Sequence, residues 1–408
     1  IALFISLLVG VPLGVLSARL AAGLGRRDQA INRYSEIAAG PESPAMAEAR
    51  LRLVEMRLQN GDFDRQHAIE GLETLSFIWR GDETEVQAMQ LLGRLYVAES
   101  RYRDAFNLLD GAVLVRPESD TTRGFYNEMA AIFEDLFLSD RAKSIEPLEA
   151  LALYYDFSKL TPIGRRGDEL IRRLADRLVS VDLLDQAAEL LDYQVKYRLT
   201  GVAKAQVAAK LAWVQLLNHK PAPAVQVLAE TRIADLPGEL RDQRLMLEAR
   251  ALSELGRYDA ALELAAGLPG KEADRLRGDI FWSAKRWREA GEAYEKLLGA
   301  RWQTAKPLDD MERADVLRAG IAFTLGNETI GLARLRDRYA AKMPDGADRT
   351  AFGIMTASGN DPKKMTDVSK VLSTVDSLRL FLKLYQARFP DKPLPETAEA
   401  KPQKVSAR

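Results

Sequence analysis

Three short blocks decide how the chain reads: Asp185-Gln186-Ala187-Ala188-Glu189-Leu190-Leu191, Pro223-Ala224-Val225-Gln226-Val227-Leu228 and Asp259-Ala260-Ala261-Leu262-Glu263-Leu264. Their aligned alanines, Ala187, Ala224 and Ala261, stand 37 residues apart twice running. Twelve residues before each lies another alanine: Ala175, Ala212 and Ala249. Self-similarity with a period of roughly 20–50 residues marks stacked supersecondary units. Within each unit, apolar residues such as Leu174, Leu178 and Val179, or Leu211, Val214 and Leu217, recur at helical spacing. A short break such as Leu255-Gly256-Arg257 follows, and then the alanine-rich block forms a second helix. Small residues belong where two helices cross closely, because a larger side chain would hold the axes apart.

The same arrangement recurs within and beyond residues 167–267. It is clearest in Leu92-Gly93-Arg94-Leu95-Tyr96, then Tyr102-Arg103-Asp104-Ala105, Leu109, Ala112 and Pro117. Gly256-Arg257-Tyr258-Asp259-Ala260-Ala261 and Trp287-Arg288-Glu289-Ala290 with Tyr294 repeat it. A small residue, an aromatic, a second small residue and a closing proline at these intervals resemble the tetratricopeptide repeat (TPR) family. The likeness covers most of residues 11–340, unevenly. Residues 120–162 keep only the helical spacing, and Glu146-Pro147-Leu148-Glu149-Ala150 stands where the second-helix signature is expected. Repeat length also wanders, from 29 residues between Ala261 and Ala290 to 41 between Ala290 and Gly331. The resemblance implies an all-α, right-handed superhelical solenoid of antiparallel helix pairs, with a concave groove that binds proteins or peptides. It implies no catalytic activity.

In chain order, residues 1–10 read as the stump of a preceding repeat or an apolar segment. Residues 11–162 read as N-terminal repeats and residues 163–343 as C-terminal repeats, about nine in all. Turns are expected at Gly25-Arg26-Arg27, Gly61-Asp62, Asn218-His219-Lys220, Leu255-Gly256-Arg257 and Leu325-Gly326-Asn327. Residues 344–390 read as a loop and a final amphipathic helix over 364–388, which would cap the open end of the core. Residues 391–408 hold three prolines and only Leu394 and Val405 as large aliphatics, so they are expected to be disordered.

Composition narrows the function. The 408 residues are 47% hydrophobic, with 58 basic against 59 acidic residues and a net charge of −1. No basic excess points to nucleic acid or an anionic membrane surface. Cysteine is absent, which removes disulfides, thiolate metal sites and a cysteine nucleophile and leaves the compartment open. Residues 1–18 carry no charge and just meet the length of a membrane span. Gly10, Pro12 and Gly14 interrupt them, so a repeat remnant is the preferred reading and a membrane anchor the alternative. A chain opening on Ile1 reads as the C-terminal part of a longer repeat protein. Its Ala-, Leu- and Arg-rich style suggests a bacterium, in cytoplasm or periplasm, with inner-membrane anchoring possible only through residues 1–18.

No phosphate loop, dinucleotide fingerprint, nucleophile elbow or zinc helix is present in the sequence. The two histidines, His67 and His219, fall in expected turns, and a solvated histidine is the plain reading of each. Tyr154-Tyr155-Asp156-Phe157 reads as packing at a repeat joint, and the Arg172-Arg173 and Asp176-Arg177 runs as solvated ion pairs. A non-enzymatic interaction scaffold is therefore expected, with a protein or peptide partner and no cofactor, metal or small-molecule substrate. Alternatives are a docking arm of a larger enzyme and a membrane-tethered assembly factor of the bacterial envelope. By the resemblance, the groove is lined by exposed first-helix residues. Counting along those helices gives Arg172, Asp176, Trp213, Met246, Arg250, Arg275, Asp279 and Trp282 as partner-binding residues. Mixed arginine and aspartate favour a partner segment with both charge and apolar anchors.

Overall fold

The computed structural model describes residues 13–62, 64–139, 141, 144–356 and 377–392, and among them every regular element is a helix. The expected stump at 1–10, the start of the final amphipathic helix and the tail beyond 392 lie outside the described residues. The chain divides into two compact units, Ile1–Pro162 and Ile163–Arg408.

Among its described residues unit 1 holds four helix pairs: α1 (Leu13–Gly23) with α2 (Arg27–Ala38), α3 (Pro44–Asn60) with α4 (Arg65–Ile78), α5 (Glu83–Ala98) with α6 (Tyr102–Val115), and α7 (Asp120–Leu138) with α8 (Pro147–Asp156). Unit 2 holds five more: α9 (Arg165–Ser180) with α10 (Leu184–Tyr193), α11 (Gly201–Leu217) with α12 (Pro221–Glu230), α13 (Gly238–Glu254) with α14 (Tyr258–Ala266), α15 (Lys271–Ser283) with α16 (Trp287–Leu298), and α17 (Asp310–Leu325) with α18 (Thr329–Tyr339). Among the described residues two single helices follow, α19 (Ala347–Thr356) and α20 (Ser377–Arg388). In every pair except α7–α8, whose backbones stay further apart, a helix packs closely on its sequence neighbour, and first helices also touch the first helix of the next pair, as α11 touches α13 and α13 touches α15. Nine helix pairs among the described residues match the repeat pattern of the sequence.

One turn makes most of these pairs. Gly25, Gly61, Ser100, Asp182, His219, Gly256, Lys285 and Asn327 all adopt left-handed backbone, with φ between 55° and 78°. In each case the next residue's amide reaches back five residues to a helix carbonyl, as Arg101 N to Tyr96 O at 2.8 Å and Arg257 N to Leu252 O at 2.9 Å. That is the Schellman ending, which satisfies carbonyls left over at a helix C-terminus and turns the chain sharply into the next helix. His219, expected in a turn, is the left-handed residue itself. His67 lies in the first turn of α4, with Nδ1 2.7 Å from the Asp64 carboxylate.

The crossings follow from side-chain size. Ala175, Ala187, Ala212, Ala224, Ala249 and Ala261 are all fully buried, at 0% exposure. Where a large ring enters a crossing, glycine faces it: a Cβ on Gly93 would lie 2.8 Å from the Phe125 ring. The Phe323 ring sits between Gly291 and Gly331, where added Cβ atoms would come within 2.5 and 2.9 Å. The pair α7–α8, which lacks the repeat signature, is packed by rings instead. Phe106 meets Phe133 and Phe157 at 5.7 and 5.2 Å, and Phe137 meets Phe133 and Tyr154 at 4.9 and 6.4 Å. Tyr154 and Phe157 are thus core, whereas Tyr155 is exposed.

The end of the last pair is covered by α19, whose Phe352 and Met355 join the core of Phe323, Leu335 and Tyr339. The final helix was expected in that role. Over its described part, α20, it lies against α11 and α15 instead. Asp391 and Lys392, expected to begin a disordered tail, make ion pairs with Lys210 at 2.5 Å and Glu239 at 2.6 Å. Among the described residues no helix is long and apolar enough to cross a membrane. Nor do three or more His, Cys, Asp or Glu among them gather as a metal ion requires.

Candidate partner-binding face of unit 2

The first helices of unit 2 carry charged residues on the side where one pair meets the next. These residues find each other. Arg275 of α15 grips Asp315 of α17 with both guanidinium arms, at 2.5 and 2.6 Å, and both side chains are under one-tenth exposed. Asp279, one turn further, accepts from the Tyr294 hydroxyl at 2.5 Å and from Arg318 at 3.2 Å. Arg250 of α13 approaches the same carboxylate at 3.6 Å and bonds Glu254 at 2.6 Å. Burial pushes the Asp315 carboxyl above its ordinary value, and the Arg275 guanidinium pulls against that shift. Burial likewise holds the Tyr294 hydroxyl well above its usual range. Removing one partner of such a pair would leave the other charged and buried.

The expected partner-binding residues all lie on first helices, but they are not the exposed set that the sequence suggests. Trp213, Met246, Arg250, Arg275 and Asp279 are buried, at 7, 1, 4, 7 and 4% exposure. Position along a helix reveals neither the ion pairs that bury the charged ones nor the neighbours that cover the apolar ones. Trp282 is half-buried, edge-on to Trp287 and Tyr294 at 5.5 and 6.2 Å, so it packs into its own pair. Arg172 and Asp176 are half-buried and 3.6 Å apart, and Lys210 of the next first helix reaches Asp176 at 2.9 Å.

Helix α20 rests on this face. Leu378, Phe381, Leu382, Tyr385 and Phe389 recur at helical spacing and are all buried. Such a stripe is the anatomy of an amphipathic helix seated in a groove. Polar contacts fix both ends. Arg250 donates to the Ser377 hydroxyl at 3.2 Å and places its guanidinium 5.5 Å from the centre of the Phe381 ring. Arg388 pairs with Glu272 at 2.7 Å and donates to the Pro269 carbonyl at 2.9 Å. Beyond α20, Gln206 donates to the Lys392 carbonyl at 2.9 Å.

Where α20 ends, the face opens into a cavity of about 270 Å³. Val202, Val207, Trp213, Pro237, Leu240, Tyr385, Phe389 and Pro390 supply apolar lining, with Arg172, Lys210, Glu239, Asp391 and Lys392 also contributing. Lys210 Nζ stands 5.1 Å from the centre of the Trp213 ring. The Trp213 Nε1–H is buried and has no hydrogen-bond partner among the described residues. Gln206, Lys210, Leu240, Tyr385 and Phe389 were not singled out from the sequence. The only sequence signal for them is the apolar stripe of the final helix, which says that something is covered but not what.

No family model matches the chain, and no curated protein matches it either. Solved structures do. A structure of Naa15/Naa10 bound to HypK-THB aligns over 93% of this chain at 12% identity and a TM-score of 0.39, and the chain spans 64% of the length of that one. The TPR domain of P58(IPK) aligns over 92% of this chain and 97% of its own, at 10% identity and a TM-score of 0.26. The apo form of the quorum sensor NprR from B. thuringiensis aligns over 79% and 97%, at 12% and 0.28. The helix-pair repeat itself is established by the turns, crossings and contacts within each unit.

Proposed function

We propose that this chain is a non-enzymatic interaction scaffold whose unit 2 holds a segment of a partner protein on its first-helix face. The observation that carries this reading is α20. An amphipathic helix already lies there, held by a buried apolar stripe and by polar bonds at both ends. A surface able to seat one such segment has the chemistry to seat another, namely an apolar floor edged by charges of both signs. Arg172, Asp176 and Trp213 line or flank the part left open. Met246, Arg250, Arg275 and Asp279 are buried on the same first helices, and Trp282 packs within its own pair. A partner segment with apolar anchors and mixed charge suits this arrangement, and no catalytic role is assigned to any residue.

The test is site-directed photo-crosslinking in the full chain. A photoreactive residue at Arg172 should trap a partner protein, and one at Glu263, exposed on the second helix α14, should not. The reverse pattern would overturn the assignment of the face.

A further inference from the structure

The repeats of unit 2 are built from helices adjacent in sequence, and α20 is not. It belongs to no pair, and 20 residues, 357–376, separate it from α19. It lies across three successive first helices. Phe381 meets Arg250 of α13, Arg388 meets Glu272 of α15, and just past the helix end Asp391 meets Lys210 of α11. The helices beneath have their own ties. Arg275 pairs with Asp315 and Arg318 with Asp279, and Arg250 has Glu254 and Asp279 as partners besides Ser377.

The bonds that fix α20 are of a replaceable kind. Arg388 and Glu272 are partly exposed, Lys392 and Glu239 more than half so, and exposed ion pairs contribute little. The apolar stripe supplies most of the hold. Leu378, Phe381, Leu382, Tyr385 and Phe389 stand at i, i+3, i+4, i+7 and i+11, the spacing of a helix laid into a groove. Charge is complementary as well. Residues 377–392 carry Arg379, Lys383, Arg388 and Lys392 against Asp391 alone, and the carboxylates of Glu239 and Glu272 edge the seat.

We propose that α20 is a tethered internal ligand. It occupies the first-helix face of unit 2 reversibly and competes there with a partner segment of its own pattern, a basic amphipathic helix with large apolar residues at those five positions. This rests on the partner-binding reading of unit 2 and adds the chemistry of the partner and the state in which the face is closed to it. Releasing α20 breaks no helix pair, whereas freeing α13 would open both α12 and α14. Twenty residues of chain span up to about 70 Å, enough for α20 to leave its seat while α19 stays in place. A segment of the same chain competes at an effective concentration on the order of millimolar, so a partner arriving in trans meets a face that is mostly taken.

The probe is a fluorescein-labelled peptide of residues 377–392, titrated by anisotropy into the full chain. Leu382→Asp places a charge in the buried stripe and frees the seat, so the peptide should bind that chain at least about thirtyfold more tightly than the parent. Adding Glu272→Arg to Leu382→Asp should weaken the peptide about tenfold, and an Arg388→Glu peptide should recover the loss, which fixes the probe to the seat of α20. Hydrogen exchange in the unaltered parent reads the same release without a variant. Amides of α20 should exchange at least about a hundredfold faster than those of α13.

Equal peptide affinity for parent and Leu382→Asp, no recovery by the charge-swapped peptide, or α20 amides as slow as those of α13 would each overturn the internal ligand. Crosslinking at Arg172 separates this proposal from the reading it rests on. A partner trapped equally by parent and Leu382→Asp overturns the competition and leaves the face standing. A peptide that exchanges as expected in a chain that traps no partner upholds the reversible seat and removes the partner reading.

Discussion

The pair α7–α8 in unit 1 and the pairs α11 to α16 in unit 2 solve the same packing problem with different side chains. In unit 2, alanines at 0% exposure let the helices approach, and buried ion pairs such as Arg275 with Asp315 join successive first helices. In α7–α8, a chain of rings from Phe106 through Phe133 and Phe137 to Tyr154 fills the space. The left-handed turn found in the other eight pairs is not among the described residues between α7 and α8. An alanine crossing constrains which residue is allowed, so it leaves a period in the sequence. A ring-filled core constrains total volume, so many sequences satisfy it and the period disappears.

This contrast orders the effects of mutation. Phe133 is fully buried within the aromatic chain, and Phe133→Ala should lower unfolding stability by about 3–5 kcal/mol, read by thermal or urea denaturation. A loss under about 1 kcal/mol would mean that the ring chain does not hold the pair.

Arg275→Ala should cost a similar or slightly smaller amount, about 3–5 kcal/mol, because Asp315 is left charged and buried. The double variant Arg275→Met, Asp315→Leu should recover most of that loss in the same assay. Failure to recover would show that the pair supplies net stability.

Ala224→Leu overpacks an alanine crossing and should cost about 1–3 kcal/mol. The same exchange of size in the other direction, Phe125→Leu at the ring packed on Gly93, should be milder than Phe133→Ala, since it removes less side-chain volume. Equal losses would erase the distinction between the two packing modes.

The smallest effect is a gain. Lys285 is exposed and holds a left-handed turn at φ 58°, a conformation costing roughly 1–2 kcal/mol for a residue with a Cβ. Lys285→Gly should raise stability by about 1 kcal/mol, and an unchanged or lower midpoint would mean that the turn is not strained.

The sequence made the pairing legible because three devices repeat in it: small residues at crossings, apolar residues at helical spacing, and turn residues such as Gly25, Gly61, His219 and Gly256. Each is local, needing no more than one repeat to be seen. The candidate site was legible only as a side of the first helices. Arg275 and Asp315 are 40 residues apart, Arg318 and Asp279 are 39 apart, and Arg250 and Ser377 are 127 apart. Charged residues are seldom fully buried unless paired, so without knowing the partner each of these reads as exposed. The seat of α20 was hidden for the same reason. An amphipathic stripe shows that a helix needs a surface, and a solenoid offers several.

The central claim is that the open part of the first-helix face, centred on Trp213, binds a partner segment. Its most direct test is the affinity of the crosslinked partner, measured by titration calorimetry against the parent chain and against Trp213→Ala, with thermal midpoints recorded for both. The account predicts a loss of about 2 kcal/mol or more in binding, roughly thirtyfold, while the variant still unfolds cooperatively. Equal affinity for parent and variant, with the fold intact, would contradict it.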